Sequence, residues 1–178
     1  MTGGFIFTAR IKIAVQPGSD FFTFSQRRRR TVPNLFAEFC NVFSNAFKPD
    51  ITVALVGGGS HREDLLGHLN LTSIGYERAV RTIVGLSPKI LMAGGGGYNV
   101  YKTAALWTLA WAALCGLEPS DAYAGLIGGM MYGPETHSGS LRDAPYVVTG
   151  HLKEWCLEFA QDTVAYLKRN VFPLHGIG

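Results

Sequence analysis

The sequence predicts an α/β fold with parallel strands, because two short apolar runs each end in glycines and each lead towards a helical pattern. Ile51 to Val56 is a continuous β-branched and apolar run that stops at Gly57-Gly58-Gly59, which is typical of a strand covered on both faces. Ile90 to Ala93 reads as a second short buried strand, which stops at Gly94 to Gly97. One helical pattern separates the two runs, and this strand, helix, strand order predicts that they pair in parallel.

The other elements follow from periodicity and from residues that start or stop helices. Residues 11–16 alternate as a strand does, and Pro33 opens a helix with an apolar stripe that Pro49-Asp50 stops. Thr72 is a good N-cap for the helix that ends at Gly85. Asn99 can cap the next helix, which is apolar nearly all round, is expected to be buried, and is closed by a glycine. An irregular stretch (118–146) and an amphipathic helix (152–167) complete the chain.

Composition narrows the possible classes of protein. The chain has 178 residues, of which 47% are hydrophobic and 16% charged, so it is one globular domain or a piece of a larger one. The formal net charge of +3 is smaller than the charge of the run Arg27 to Arg30 alone, so nothing general points to nucleic acid or to an anionic membrane. That run is a phosphate-binding or localisation patch, or, as we favour, a solvated helix start or linker.

Membrane, secretion and disulfide signals are missing from the pattern. The longest apolar run, 104–115, is too short to span a bilayer, and the amino terminus lacks a signal-peptide layout. We therefore expect a cytoplasmic location. Cys40, Cys115 and Cys156 are widely spaced in helical patterns, which suits neither a disulfide framework nor a metal site.

Parallel pairing would bring the two glycine-rich strand ends to the same edge of the sheet, which places residues 57–66 beside Tyr98 in one crevice. Open α/β sheets bind their ligands at such an edge. The glycines do not form a phosphate loop, because Lys102 comes too late, and no acidic residue ends a second strand as a ribose anchor would. His61 and His68 flank Glu63-Asp64, a grouping of residue types that bind metals, but a loop fixes no geometry, so surface histidines are the favoured interpretation.

Several further motifs stand out: Lys48-Pro49-Asp50-Ile51, the loop Asp64 to Thr72, the glycines with Tyr98, the tryptophan-containing helix that follows, and Phe172 to Gly176. Together they resemble the carboxyl-terminal half of the zinc-dependent histone deacetylase superfamily, in particular its bacterial acetoin-utilisation deacetylase branch. The likeness is best over 36–133. Residues 134–178 would form a carboxyl-terminal loop and helix, and the likeness does not extend to residues 1–35.

The resemblance implies an open, mostly parallel arginase/deacetylase-type sheet flanked by helices. It also implies zinc-dependent hydrolysis of acetyl-lysine, or of a small acetylated amine, in which a tyrosine stabilises the oxyanion. Tyr98 matches that catalytic tyrosine. Gly96 and Gly97 match glycines that line the acetyl-lysine tunnel, and Leu66 matches an apolar residue at its rim.

Two departures from the family pattern argue against activity. Gly59 stands where the family has a zinc-ligand aspartate, and glycine has no side chain to coordinate a metal. The other zinc ligands and the histidine pair belong to an amino-terminal half that we expect this chain to lack. A catalytic zinc site needs three protein ligands and an open position. The chain is therefore expected to bind no zinc and to be inactive by itself.

The expected partners follow from the same comparison. They are an acetylated protein lysine or a small acetylated amine, with no nucleic acid and no membrane, and a second copy of the chain is expected to associate through an uncovered sheet edge. The alternative to a deacetylase chain is a non-catalytic pseudo-enzyme or acetyl-group binding module.

Overall fold

The computed structural model describes residues 6–8, 35–67, 69–122, 139–144, 146 and 149–177. The predicted strand at 11–16 and the run Arg27 to Arg30 lie outside these residues. The elements described are, in chain order, β1 (Ile6–Thr8), α1 (Leu35–Phe47), β2 (Thr52–Val56), α2 (Ser73–Val84), β3 (Ile90–Gly94), α3 (Val100–Leu114) and α4 (Gly150–Asn170), with short 3-10 turns at Gly58–Ser60 and Phe172–His175.

The described strands form one sheet in the order β1-β2-β3. β2 and β3 pair in parallel, with Thr52 opposite Ile90 and Val56 opposite Gly94, so the predicted α/β fold and its parallel pairing are confirmed. β1 pairs with β2 in the antiparallel direction, with Ile6 opposite Ala54. The sequence pattern had suggested no partner for that first segment, because three residues are too few to show a period.

The helices begin and end where their capping residues predict. The Thr72 hydroxyl accepts a hydrogen bond from the Gly75 N–H at 3.2 Å and starts α2, which stops at Gly85. The Asn99 side chain accepts from the Lys102 N–H at 3.2 Å and starts α3. α1 ends at Phe47, just before Pro49. These caps satisfy backbone groups that a helix leaves unpaired at its ends.

The core lies between the sheet and helices α1, α2 and α3. The carbonyl oxygen of Val56, at the carboxyl end of β2, accepts hydrogen bonds from the Tyr76 hydroxyl at 3.2 Å and from the Trp107 indole N–H at 3.1 Å. Side chains of both helices therefore hold this strand end in place. The buried apolar side chains that form this core cluster are Cys40, Ala54, Val56, Leu71, Tyr76, Val80, Ile83, Leu86, Leu106, Ala110 and Ala113.

The structure corrects two expectations about burial. β3 was expected to be a buried strand, but it lies at the edge of the described sheet, and Leu91 is 61% exposed. α3 was expected to be buried all round, but its outer face is open, and Trp111 is 68% exposed. Both errors have one cause: apolar composition shows that a face can be buried, but it does not show whether a neighbour covers it.

The described part of the chain contains no helix that is both long and apolar enough to cross a membrane. All three cysteines are free; Cys40 is buried, and burial raises the pKa of its thiol to about 12.

Candidate active site

The two glycine-rich turns meet at one edge of the sheet, as the parallel pairing predicted. Val56 and Gly94 are opposite each other at the ends of β2 and β3. Just beyond them, the Gly59 N–H donates a hydrogen bond to the Gly96 carbonyl oxygen at 3.0 Å. This backbone contact joins the two turns and defines the crevice that follows the strands.

Close packing explains why this edge is rich in glycine. A Cβ atom at Gly57 would lie 2.7 Å from the Gly96 carbonyl oxygen, and one at Gly97 would lie 2.3 Å from the Thr103 hydroxyl oxygen. Positive φ values occur at other glycines of the described chain and at none in these two turns. The turns therefore need glycine because neighbouring backbone and the Thr103 side chain leave no room for a methyl group.

Tyr98 lies at this edge, directly after the four glycines, and it is 43% exposed. Its backbone N–H donates a 2.7 Å hydrogen bond to the Asp64 carboxylate, in the loop that follows β2. The expected proximity of residues 57–66 to Tyr98 is therefore confirmed. Leu66, on the same loop, is 63% exposed.

Asp64 ties its loop to the start of α3. One carboxylate oxygen accepts from the Leu66 N–H at 3.0 Å and the Gly67 N–H at 2.7 Å, while the other accepts from Tyr98. Burial by itself would raise the pKa of Asp64, but these backbone hydrogen bonds outweigh it and hold that pKa below its usual value. Asp64 is therefore a carboxylate at neutral pH.

A second link runs parallel to the first. The Asn99 side-chain amide donates to the Glu63 carbonyl oxygen at 3.1 Å, while its own oxygen caps α3. Two hydrogen bonds therefore join the loop to the beginning of α3 next to Tyr98.

His61 is buried, with 1% of its surface exposed, so the interpretation as a surface histidine is wrong. Its Nδ1 accepts a hydrogen bond from the Glu63 N–H at 3.1 Å, which leaves Nε2 to carry the proton donated to Asp143 at 2.8 Å. His61 is thus held by two hydrogen bonds within the fold. His68 and His137 lie outside the described residues, and His151 and His175 are exposed.

Asp143 is a site residue that the sequence did not reveal. Its carboxylate accepts hydrogen bonds from His61, from the Ser73 N–H at 2.8 Å and from the Lys102 ammonium at 2.7 Å. Burial would raise the pKa of Asp143, but these donors lower it well below its usual value. No signal marks Asp143 in the sequence, because it lies within the irregular stretch 118–146, which has no periodicity.

Arg142 attaches the same segment to α2. Its guanidinium donates to both carboxylate oxygens of the buried Glu77, at 2.8 Å and 2.9 Å, and Arg81 donates to the same carboxylate. Hydrogen bonds from these arginines outweigh the effect of burial and lower the pKa of Glu77. Hydrogen bonds from Arg142 therefore hold the segment 139–144 against α2.

The described residues do not fit a catalytic zinc site. Gly59 offers no ligand, both ring nitrogens of His61 are already hydrogen-bonded, and both oxygens of Asp64 accept backbone N–H groups. Within the described ranges no three His, Cys, Asp or Glu side chains come together as a metal-binding group. Zinc bound by a protein needs three or four such ligands.

The sequence matches known histone deacetylases over part of its length. The model of the histone deacetylase domain matches residues 11–114, which is more than half of the chain. "Putative histone deacetylase 2" of Caenorhabditis elegans is 31% identical over 91 residues, which are 51% of this chain and 18% of that protein. "Histone deacetylase B" of Dictyostelium discoideum is 35% identical over 75 residues, 42% of this chain and 18% of that protein.

Two further matches differ in extent. "Histone deacetylase 1" of Homo sapiens is 37% identical over 62 residues, 35% of this chain and 13% of that protein. The crystal structure of an HDAC homolog from Aquifex aeolicus aligns with a TM-score of 0.44 and 24% identity, over 71% of this chain and 37% of that chain. This chain thus spans less than a fifth of the length of these three curated relatives. Since the domain model covers residues 11–114, the chain belongs to the histone deacetylase family.

Proposed function

We propose that this chain carries the tyrosine side of a deacetylase site, whose parent reaction is hydrolysis of acetyl-lysine or of a small acetylated amine. The single observation that supports this most is the placement of Tyr98. It follows the glycine turn at the carboxyl edge of the sheet, its backbone is held by Asp64, and its side chain is 43% exposed. A phenol in that position can donate to an amide carbonyl oxygen, and the hydrogen bond strengthens as negative charge develops there.

We propose that Leu66, Gly96 and Gly97 contact the acetylated side chain. Leu66 is exposed on the loop whose backbone is bonded to Asp64, beside Tyr98. The Gly96 carbonyl oxygen accepts a hydrogen bond from the Gly59 N–H, and Gly97 lies between Gly96 and Tyr98 in the same turn. An acetyl-lysine stem is apolar and its amide is polar, which suits an apolar rim around one hydrogen-bond donor.

The family is zinc-dependent, but we propose that this chain by itself does not hydrolyse the amide. The support is the poor fit of the described residues to a zinc site, above all Gly59 at the position of the family's aspartate. The same observation favours the second candidate function, a pseudo-enzyme or binding module that holds an acetyl group without turning it over. From the sequence motifs we further propose that the chain belongs to the bacterial acetoin-utilisation branch and is cytoplasmic.

The test uses the purified full chain with an acetyl-lysine peptide and, as a control, the same peptide unacetylated. We expect no stoichiometric zinc after dialysis, no release of acetate, and preferential binding of the acetylated peptide. Tyr98→Phe should weaken that binding about tenfold, because it removes one hydrogen bond worth about 1.4 kcal/mol. Retained zinc together with acetate release would overturn the proposed inactivity, and equal binding of both peptides would overturn acetyl-group recognition.

We also propose that the chain self-associates through the edge of its sheet. β3 is one of the two edge strands of the described sheet, and Leu91 on it is largely exposed. An open strand edge with apolar side chains is a template for pairing with another chain. Light scattering during size-exclusion chromatography should show dimers or larger species, which Leu91→Lys should reduce. A monodisperse monomer with a sharp thermal transition would contradict this.

A further inference from the structure

One carboxylate connects two residues of the proposed site. Asp64 is 9% exposed, and its two oxygens divide their hydrogen bonds between two parts of the chain. Oδ1 accepts from Leu66 and Gly67, within its own loop, at 3.0 Å and 2.7 Å. Oδ2 accepts from Tyr98, which is 34 residues further along the chain, at 2.7 Å. The carboxylate therefore sets the distance between the loop and the residue after the glycine turn.

The bond to Tyr98 is short and has an ionised acceptor. Hydrogen bonds of this kind are about twice as strong as those between neutral groups. The carboxylate also lies at the beginning of α3, where the helix dipole favours a negative charge. Because this hydrogen bond fixes the Tyr98 backbone, it restricts where the phenol hydroxyl can lie.

We propose that Asp64 is a positioning residue, which holds Tyr98 and Leu66 in the relative arrangement that an acetylated side chain requires. This inference rests on the proposed function of the site. It gives the carboxylate a role through Tyr98, and Asp64 itself need not touch the acetyl group. Three backbone N–H groups also explain how the Asp64 charge can be buried without a cation beside it in the described structure: each donates a hydrogen bond to the carboxylate.

The substitution Asp64→Asn tests the hydrogen bond to Tyr98 separately from the two hydrogen bonds within the loop. The amide oxygen of asparagine can take the position of Oδ1, where it accepts hydrogen bonds from the Leu66 and Gly67 N–H groups. The NH₂ group then faces the Tyr98 N–H, and two donors cannot bond to each other. The loop should stay closed while Tyr98 loses its anchor. Asp162→Asn, on an exposed face of α4, is the matched control for the same chemical change.

The first measurement is nuclear magnetic resonance on the isotope-labelled full chain. Wild type should show a scalar coupling between the Tyr98 nitrogen and the side-chain carboxyl carbon of Asp64, transmitted through the hydrogen bond. In Asp64→Asn, the Tyr98 amide proton should move upfield and exchange faster, while those of Leu66 and Gly67 change little. Absence of the wild-type coupling, together with an unprotected Tyr98 amide, would overturn the inference even if the variant does not fold.

The second measurement is a double-mutant cycle on affinity for the acetyl-lysine peptide. Asp64→Asn should weaken binding about tenfold, and Asp64→Asn in the Tyr98→Phe background should weaken it by less than about twofold, because the residues act through one hydrogen bond. Independent, additive losses would show that Asp64 does not act through Tyr98. Failure of wild type to bind the peptide would refute the proposed function instead, and the Tyr98 amide would still test the positioning.

Discussion

Replacing Asp143 with alanine should lower the free energy of unfolding by about 3 kcal/mol, because it removes one acceptor from three donors in the interior. The His61 ring and the Ser73 N–H would lose their partner in a buried place, and the Lys102 ammonium would lose its shortest ion pair. Chemical denaturation followed by circular dichroism measures this loss. Asp162→Ala, which removes an exposed carboxylate, should change stability by less than about 0.5 kcal/mol.

The loss should depend on pH in a definite direction. The folded structure holds the pKa of Asp143 below its unfolded value, so Asp143 stabilises the fold only while its carboxyl is ionised. This contribution is fully present above the unfolded pKa, which is about 4, and it disappears as the pH falls further. The stability difference between wild type and Asp143→Ala should therefore be constant near neutral pH and shrink below about pH 4. A difference that grows in acid would contradict the assigned contacts.

Replacing Gly67 with alanine should also be costly, by about 3 kcal/mol, and should abolish peptide binding. A Cβ atom at Gly67 would lie 1.8 Å from the Gly59 carbonyl oxygen, which belongs to backbone and has no rotamer to change. The loop would have to move away from the glycine turn, and the Asp64 carboxylate would leave Tyr98 with it. Denaturation and peptide titration on the same variant measure both losses.

Gly85→Ala is the matched control for that substitution. Gly85 closes α2 with φ of −82°, which alanine also adopts, and an added Cβ would be 3.5 Å from the Thr82 carbonyl oxygen. Its stability should stay within about 1 kcal/mol of wild type, with a small gain possible from reduced freedom of the unfolded chain. Equal losses at both positions would show that the close approach of Gly67 and Gly59 is not present in solution.

Local patterns predicted the framework of this chain well. Thr72, Gly85 and Asn99 lie at helix boundaries because their capping bonds involve only residues within one turn. The parallel pairing of β2 and β3 followed from their order and from the helix between them, which leaves few other topologies. The meeting of the two glycine turns followed from that pairing.

Burial was predicted less well. Leu91 on β3 and Trp111 on α3 are exposed although their surroundings in sequence are apolar. His61 is buried although its loop is polar. In each case the outcome depends on which distant segment packs there, and a local pattern does not contain that information.

The sequence by itself determined the order of strands and helices, the sheet edge at which the two glycine turns meet, and the place of Tyr98 directly after the second turn. Only the tertiary structure decided how Tyr98 is held, which neighbours exclude a side chain at Gly67 and Gly97, and that Asp143 joins His61 to Lys102. The physical reason is separation along the chain: Asp143 is 82 residues from His61 and Tyr98 is 34 from Asp64. Capping and periodicity act over a few residues, whereas these contacts exist only after the chain has folded.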